Sequence, residues 1–262
     1  MAPNEHVDLA TLDPRSTPAA PGHELVTERA AGALATRLAE LQHRLWAEHR
    51  RSVLVVLQAM DAGGKDGTIR KVFSGVNPLG VEVTSFRAPT EEERDHDFLW
   101  RVHRRAPARG RLGIFNRSHY EDVVTVRVHR GAEEPVWRAR YGQIRAFEEL
   151  LAAEGTTVVK FLLHISKEEQ AERLRSRLER PDKRWKFRLG DLDDRERWDD
   201  FMAAYGDAVS ETSTPSAPWY VVPADRKWYR NWAVLAILVE TLEELDPRFP
   251  EAAADLDGVV VE

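Results

Sequence analysis

The sequence contains no cysteine. The chain therefore forms no disulfide and has no thiolate nucleophile or thiolate metal ligand, and this composition is typical of a protein in a reducing cytoplasm, where we expect it. It also lacks any apolar run near the ~18 residues of a membrane span. The N-terminus has no signal pattern of basic and then apolar residues. We expect no membrane partner.

Positive charge is in short supply, since 38 lysines and arginines against 44 acidic residues give a net charge of -6. Such a balance argues against a nucleic acid partner. It does not exclude binding of a polyanion, because positive charge can be concentrated in a local cluster. The 262 residues are 42% hydrophobic and 31% charged, an ordinary globular composition. They suffice for one large α/β domain or two small ones.

Residues 53–70 combine an apolar run, a glycine-rich turn and a helical pattern. The run 53–57 is wholly aliphatic, as in a strand covered on both faces. Residues 61–67 hold three glycines, one lysine and two aspartates, and apolar residues from Ile69 onward recur at helical spacing. This layout is typical of a phosphate-binding loop, because backbone amides and a helix N-terminus approach the anion while Lys65 adds a full charge.

The strict Walker A pattern fails here at two positions. Its first glycine falls on Ala59, and its serine or threonine falls on Asp66. On layout alone, a plain strand-to-helix turn with an exposed lysine is the alternative to a phosphate site.

Further strands are predicted at 81–86, 111–115, 156–164 and 219–222. Helices are predicted at 25–49, from Thr90 through Arg104 with a Thr90–Glu93 capping box, at 137–154, from Ser166 with Glu169 as its box partner, at 195–210 and at 225–245. Five strands separated by helices predict a parallel sheet with helices on both faces. Ligands of such sheets bind at the carboxyl ends of the strands, where residues 61–68, Arg87 and 116–122 all fall. This convergence favours the phosphate site.

The predicted domain covers residues 23–262. Residues 1–22 are rich in proline, alanine and threonine, and we expect a flexible N-terminal arm.

Asp61 and Asp66 flank the loop lysine. Carboxylates beside a phosphate site repel the anion unless a cation intervenes, and Mg²⁺ takes one or two carboxylates plus phosphate oxygens. We expect Asp61 to serve the metal or orient the acceptor. Asp66 either does the same or caps the helix.

Residues 116–122 follow the third strand, where a Walker B acid would lie. Asn116 replaces that acid, so Glu121 or Asp122 must serve any metal there. His119 is either a general base or a packing or hydrogen-bonding residue. We favour the packing or hydrogen-bonding role, because phosphoryl transfer to an ionised phosphate oxygen needs no base.

Residues 173–188 contain eight basic residues against two acidic ones. We interpret them as part of an anion-clamping lid over 167–192. The alternatives are a solvated basic helix and a single-stranded nucleic acid site, and no second aromatic platform supports the latter.

Five segments resemble, in order, the polyphosphate kinase 2 family over roughly residues 25–250. They are Asp61-Ala-Gly-Gly-Lys-Asp-Gly-Thr68, Ser85-Phe-Arg-Ala-Pro89, His96-Asp-Phe-Leu-Trp-Arg101, Phe115-Asn-Arg-Ser-His-Tyr-Glu-Asp-Val123 and Pro223-Ala-Asp-Arg-Lys-Trp-Tyr-Arg-Asn231. The form of residues 116–122 resembles the class III branch, which accepts nucleoside mono- and diphosphates. The resemblance implies a P-loop kinase-like three-layer sandwich with a five-stranded parallel sheet. It also implies Mg²⁺-dependent transfer of the terminal phosphoryl group of inorganic polyphosphate to AMP and ADP, giving ADP and ATP, in a homodimer or homotetramer.

The resemblance also implies residue roles by position. The implied catalytic residues are Asp61, Lys65, Asp66, Arg117 and Glu121, with Mg²⁺ (or Mn²⁺) at Asp61 and Glu121. The implied phosphate-binding residues are Ala62, Gly63, Gly64, Gly67, Thr68, Arg173, Arg177, Lys183, Lys186 and Arg188. The nucleotide is expected at Arg87, Asp97, Arg101, Asn116 and Asp122.

Two other functions share these features. An ATP-dependent nucleotide or nucleoside kinase would have the same loop, sheet and lid, although the length of the basic lid favours a chain polyanion. A non-catalytic nucleotide-binding switch is less consistent with paired acids and a dense phosphate clamp.

Overall fold

The computed structural model describes residues 6–252 and residue 261. At its centre lies a five-stranded parallel sheet of order β2-β3-β1-β4-β5. The strands are β1 Ser52–Gln58, β2 Val81–Ser85, β3 Leu112–Asn116, β4 Thr156–His164 and β5 Trp219–Pro223. The α/β architecture and all five predicted strands are thereby confirmed.

Strand β1 is central and buried along its whole length. Its aliphatic sequence follows from this position, because both faces of the strand are covered by helices. The order of strands changes direction on the two sides of β1, so the loop after β1 lies at a switch point, where α/β sheets bind ligands.

The helices form two groups. Helices α1, α2 and α10 pack together, and α5, α6 and α9 form the second group, so that helices cover the two faces of the sheet. None of the helices within residues 6–252 is long and apolar enough to cross a membrane. The helices are α1 Glu24–Glu48, α2 Lys65–Val72, α3 Glu91–Arg94, α4 Trp100–His103, α5 Thr125–Val128, α6 Glu134–Ala153, α7 Lys167–Glu179, α8 Gly190–Glu196, α9 Trp198–Thr212 and α10 Lys227–Leu245.

The predicted helix from Thr90 through Arg104 is wrong in its extent. The Thr90–Glu93 capping box is present, but α3 ends at Arg94. A new helix starts because Asp97 Oδ1 accepts from the N–H groups of Leu99 (2.9 Å) and Trp100 (3.1 Å). An aspartate that bonds to nearby amides in this way favours a helix start over a helix interior.

The predicted capping box at Ser166 is only half formed. Its hydroxyl accepts from the Glu169 N–H, as predicted. However, the Ser166 N–H donates to Asp225 instead, and the Glu169 carboxylate pairs with Arg173 at 2.7 Å. The predicted helix 195–210 is likewise divided into α8 and α9, with the break at Arg197.

The described part of the predicted N-terminal arm, residues 6–22, lies against the domain rather than loose. Val7 and Leu9 are buried. The Val7 N–H donates to Ser210 Oγ at 2.9 Å, and the Tyr229 hydroxyl donates to the Pro18 carbonyl at 3.0 Å. Residues 1–5 of this prediction lie outside the described residues.

A buried ion pair supports the polar loop 116–122 from below. Lys160 on β4 and Glu148 on α6 are at most 1% exposed, and their charged atoms are 2.5 Å apart. Lys160 also donates to the Tyr120 hydroxyl at 2.9 Å, and His119 Nε2 lies 3.2 Å from Glu148 Oε1. His119 is therefore a buried hydrogen-bonding residue, as predicted, and the loop is anchored by two of its own side chains.

Replacing one member of this pair should strongly destabilise the fold. Glu148→Ala leaves the Lys160 ammonium buried without its counter-charge, a change that costs about 3–5 kcal/mol of unfolding free energy. Urea unfolding measures the loss, and Glu149→Ala, the exposed neighbour on the same helix, is the control. Equal and small losses in the two variants would contradict the assignment of the pair as a structural anchor.

Candidate active site

The loop after β1 reverses the chain sharply before α2 begins at Lys65. Ala62 has φ 60° and Gly64 has φ 107°, both in the left-handed region. A Cβ built on Gly64 would overlap the guanidinium of Arg230. The backbone conformation and this close neighbour therefore both require glycine at position 64. No side chain caps α2, so its first N–H groups remain available to an anion. The alternative that Asp66 caps this helix is therefore wrong.

The Lys65 ammonium lies on carbonyl groups of its own loop. It is buried and donates to the carbonyls of Ala59 at 2.7 Å and Met60 at 3.4 Å. Burial and the nearby Arg117 lower the pKa of Lys65 to about 8. Within the described residues it makes no ion pair closer than 4.0 Å, so its positive charge is poised for a phosphate oxygen.

Arg117 links the loop after β3 to the loop after β1. Its Nη2 donates to Asp61 Oδ1 at 2.5 Å, and its own backbone has φ 62°. Burial opposes both charges, yet Arg117 and Lys65 together lower the pKa of Asp61. Glu121 and Asp61 similarly outweigh burial and raise the pKa of Arg117. The pair is thus charged, and four of the predicted catalytic residues, Asp61, Lys65, Arg117 and Glu121, lie close together.

Asp66 is held by two partners from different elements. Lys186 Nζ lies 2.7 Å from Asp66 Oδ2, and Asn116 Nδ2 donates to Asp66 Oδ1 at 2.9 Å. Despite some burial, these hydrogen bonds lower the pKa of Asp66. Asp66 therefore fastens the tip of the lid and the end of β3 to the phosphate loop.

The base of the lid contacts the loop directly. Arg173 donates to the carbonyls of Ala62 at 3.1 Å and Gly63 at 3.0 Å. Arg177 pairs with Asp191 at 3.1 Å. Helix α7 ends at Glu179, two residues before Pro181, in agreement with the restriction that proline imposes on the preceding residue. Of the other predicted lid cations, Lys183 is half-buried and Arg188 is exposed.

Asp194 on α8 is a site residue that sequence reasoning missed. Its carboxyl group lies within hydrogen-bonding reach of Asp61, and His129 Nε2 lies 2.7 Å from its Oδ1. Burial and the charge of Asp61 raise the pKa of Asp194. The sequence did contain a signal for this residue. Asp191 and Asp194 lie three residues apart, on one helical face, shortly after the basic residues 173–188.

The carboxylates around Asp61 fit a divalent cation. Asp61 and Asp194 face each other closely, and a cation would relieve the repulsion between them. Glu121, the other predicted metal ligand, accepts from the Thr125 hydroxyl at 2.8 Å. Among the described residues no group of three or more histidine or acidic side chains is arranged for a metal.

The predicted nucleotide residues are only partly brought together. Arg101 is buried and donates to the Arg87 carbonyl at 2.8 Å, and its Nη2 lies 3.9 Å from Asp122. Asp122 also faces Arg140 at 3.5 Å. The carboxylate of Asp97 instead starts helix α4, so this residue lies at the edge of the site with a structural role.

Comparisons with known proteins agree with this geometry. Residues 23–250 match the family model described as polyphosphate kinase 2. The chain is 55% identical to an AMP/ADP-polyphosphate phosphotransferase from Meiothermus ruber over 262 residues, covering 100% of this chain and 98% of that protein. It is 48% identical to an ADP-polyphosphate phosphotransferase from Rhodopseudomonas palustris, covering 82% and 78%. The crystal structure of polyphosphate kinase 2 from Arthrobacter aurescens TC1 is similar with a TM-score of 0.93 and 45% identity, covering 96% of this chain and 90% of that chain.

Phosphate binding should weaken in alkaline solution because the Lys65 ammonium loses its proton there. With a pKa of about 8 in the free protein, the dissociation constant of inorganic triphosphate should rise above that pH. The limiting slope is about tenfold per pH unit if only the charged lysine binds. Calorimetric titration across pH 7 to 10 measures this effect. Lys65→Arg keeps its charge over the range and should abolish the slope, whereas an unchanged slope in that variant would refute the assignment.

Proposed function

The chain belongs to the polyphosphate kinase 2 family, and we propose that it transfers the terminal phosphoryl group of inorganic polyphosphate to both AMP and ADP. It is a polyphosphate-dependent nucleotide phosphotransferase with a P-loop kinase fold. The observation that carries the proposal is the position of Lys65. Its ammonium makes no ion pair within 4.0 Å in the described part of the chain and lies near Arg117, and Asp66 fastens the lid to the same loop. A relative that is 55% identical is named for both acceptors, which supports the choice of AMP as well as ADP.

The transfer needs positioning and charge neutralisation more than proton transfer. The bond between the terminal phosphorus and its bridging oxygen breaks, and that electron pair stays with the shortened chain. A new bond forms from an ionised phosphate oxygen of the acceptor, so no general base is required. Lys65 and Arg117 offset the negative charge of the transferring group, and the loop amides orient it. His119 is buried beneath the loop and takes no part.

The acceptor side of the site lies at the turns after β2 and β3. There Arg101 contacts the Arg87 carbonyl and Asp122, and Asn116 contacts Asp66. Glu121 faces Arg117 at the same place. We assign the phosphate of AMP or ADP to this side. ATP as the second product and a homodimer or homotetramer stay predictions, as does the absence of a nucleic acid partner.

We assign Mg²⁺ to Asp61 together with Asp194. This differs from the sequence-based expectation of Asp61 and Glu121, because Asp194 and not Glu121 lies within hydrogen-bonding reach of Asp61. When bound, the ion neutralises phosphate charge between donor and acceptor. Mn²⁺ prefers the same oxygen ligands.

One assay separates this function from the two others that share the site. AMP, Mg²⁺ and the protein are incubated with either polyphosphate or ATP as the donor, and nucleotide products are separated by chromatography. We expect ADP and then ATP only with polyphosphate. Product only with ATP would establish an ATP-dependent kinase, and no product with either donor would leave a binding protein.

Lys65→Ala should lower the rate of transfer from polyphosphate at least ~100-fold, which is the usual cost of removing one charge-stabilising donor.

The metal assignment predicts a shift in magnesium dependence. Asp194→Asn removes one carboxylate next to Asp61, and the Mg²⁺ concentration for half-maximal rate should rise about 10- to 100-fold. Asp193→Asn changes the same charge at an exposed neighbouring position and is the matched control. The assignment fails if both variants keep the magnesium dependence of the original protein.

A further inference from the structure

Asp225 lies where residues 6–22, the start of the lid helix α7 and the turn before α10 meet. Its side chain is 5% exposed. One carboxylate oxygen accepts from the Ser166 N–H at 2.8 Å, and the other accepts from the Ser166 hydroxyl at 2.7 Å. Arg15 adds an ion pair at 3.3 Å, and the Asp225 N–H donates to the Pro14 carbonyl at 3.2 Å. This carboxylate takes no part in the transfer reaction itself.

The bond from the Ser166 N–H to Asp225 changes the role of Glu169. In a complete capping box, the carboxylate three residues after the cap accepts from the N–H of the cap. Here Asp225 takes that place, and Glu169 Oε1 instead accepts from Arg173 Nε at 2.7 Å. Glu169 is therefore free for Arg173 because the Ser166 N–H is already bonded to a residue from another element.

Arg173 joins the phosphate loop to the turn before α10. Its Nη1 donates to the carbonyls of residues 62 and 63 at 3.1 and 3.0 Å, and its Nη2 donates to the carbonyls of residues 224 and 225 at 2.7 and 3.2 Å. A guanidinium presents its donors in a fixed fork, so a contact that fixes Nε also fixes the direction of both Nη groups. The contact with Glu169 thereby sets where Arg173 holds the phosphate loop.

We propose that Asp225 is a positioning residue of the phosphate loop, acting through Glu169 and Arg173. By bonding to the Ser166 N–H it keeps Glu169 on Arg173, which holds the loop in its binding conformation. In the absence of this carboxylate, Glu169 returns to the Ser166 N–H and releases Arg173. The role rests on the proposed function, since it concerns the loop that is assigned to the transferring phosphoryl group.

Calorimetric titration with inorganic triphosphate at pH 7 tests this role through the dissociation constant. Asp225→Ala should raise the constant about tenfold, the effect of losing one charge-assisted hydrogen bond, with the binding stoichiometry unchanged. Loss of a negative charge alone would strengthen the binding of an anion, so the expected direction separates positioning from electrostatics. A lowered stoichiometry with an unchanged constant would show that Asp225 is only structural.

A double-mutant cycle tests the path through Glu169. In a Glu169→Ala background no carboxylate can return to the Ser166 N–H, so Asp225→Ala should raise the dissociation constant no further. Equal rises in the two backgrounds would overturn the path. Glu168→Ala removes the same charge at the exposed neighbouring position and is the matched control, which should not weaken binding.

Two further variants separate the cap from the ion pair with Arg15. Asp225→Asn keeps an oxygen for the Ser166 N–H, and Arg15→Ala leaves the cap intact, so both should stay within about threefold of the original dissociation constant. If Asp225→Asn weakens binding as much as Asp225→Ala, the carboxylate acts by its charge and the proposal is overturned. An original protein that binds no triphosphate would overturn the proposed function and the positioning role together, whereas the other contrary results overturn the positioning role alone.

Discussion

The ion pair between Asp61 and Arg117 joins the turns after β1 and β3, and the site depends on this junction. The turns follow the neighbouring strands β1 and β3, and each contains a non-glycine residue in the left-handed region, Ala62 at φ 60° and Arg117 at φ 62°. Such backbone conformations persist only where surrounding contacts determine them. Here the ion pair supplies part of that constraint and directs a guanidinium toward the loop lysine.

The loop that carries Arg117 is also held by contacts in the core. His119 and Tyr120 follow it within the same loop and bind the buried Glu148–Lys160 pair. A buried ion pair is weak evidence of added stability, but it is demanding in geometry, because each partner must be satisfied. Here the Glu148–Lys160 pair fixes the position and orientation of the loop that carries Arg117 and Glu121.

The parts of this site that sequence reasoning predicted are those with a local pattern. Aliphatic runs located the strands, and the glycine turn after β1 located Lys65, because the patterns that indicate strands and loops lie within consecutive residues. Asp194 was not assigned, since it gains its role only when a distant helix is folded against the loop. The loose arm expected for the N-terminal segment is not seen over residues 6–22 for a similar reason: the partners of Val7 and Pro18 lie some two hundred positions away.

The junction of the two turns connects these contacts to the reaction, because it brings Arg117 near Lys65, where the transferring phosphoryl group is assigned. A crystal structure with bound triphosphate, Mg²⁺ and AMP tests this assignment most directly. The account predicts the terminal phosphoryl group at Lys65 and Arg117, with AMP near Arg101 and Asp122. A triphosphate lying along Arg101 and Asp122, with Lys65 still bonded only to the carbonyls of Ala59 and Met60, would contradict it.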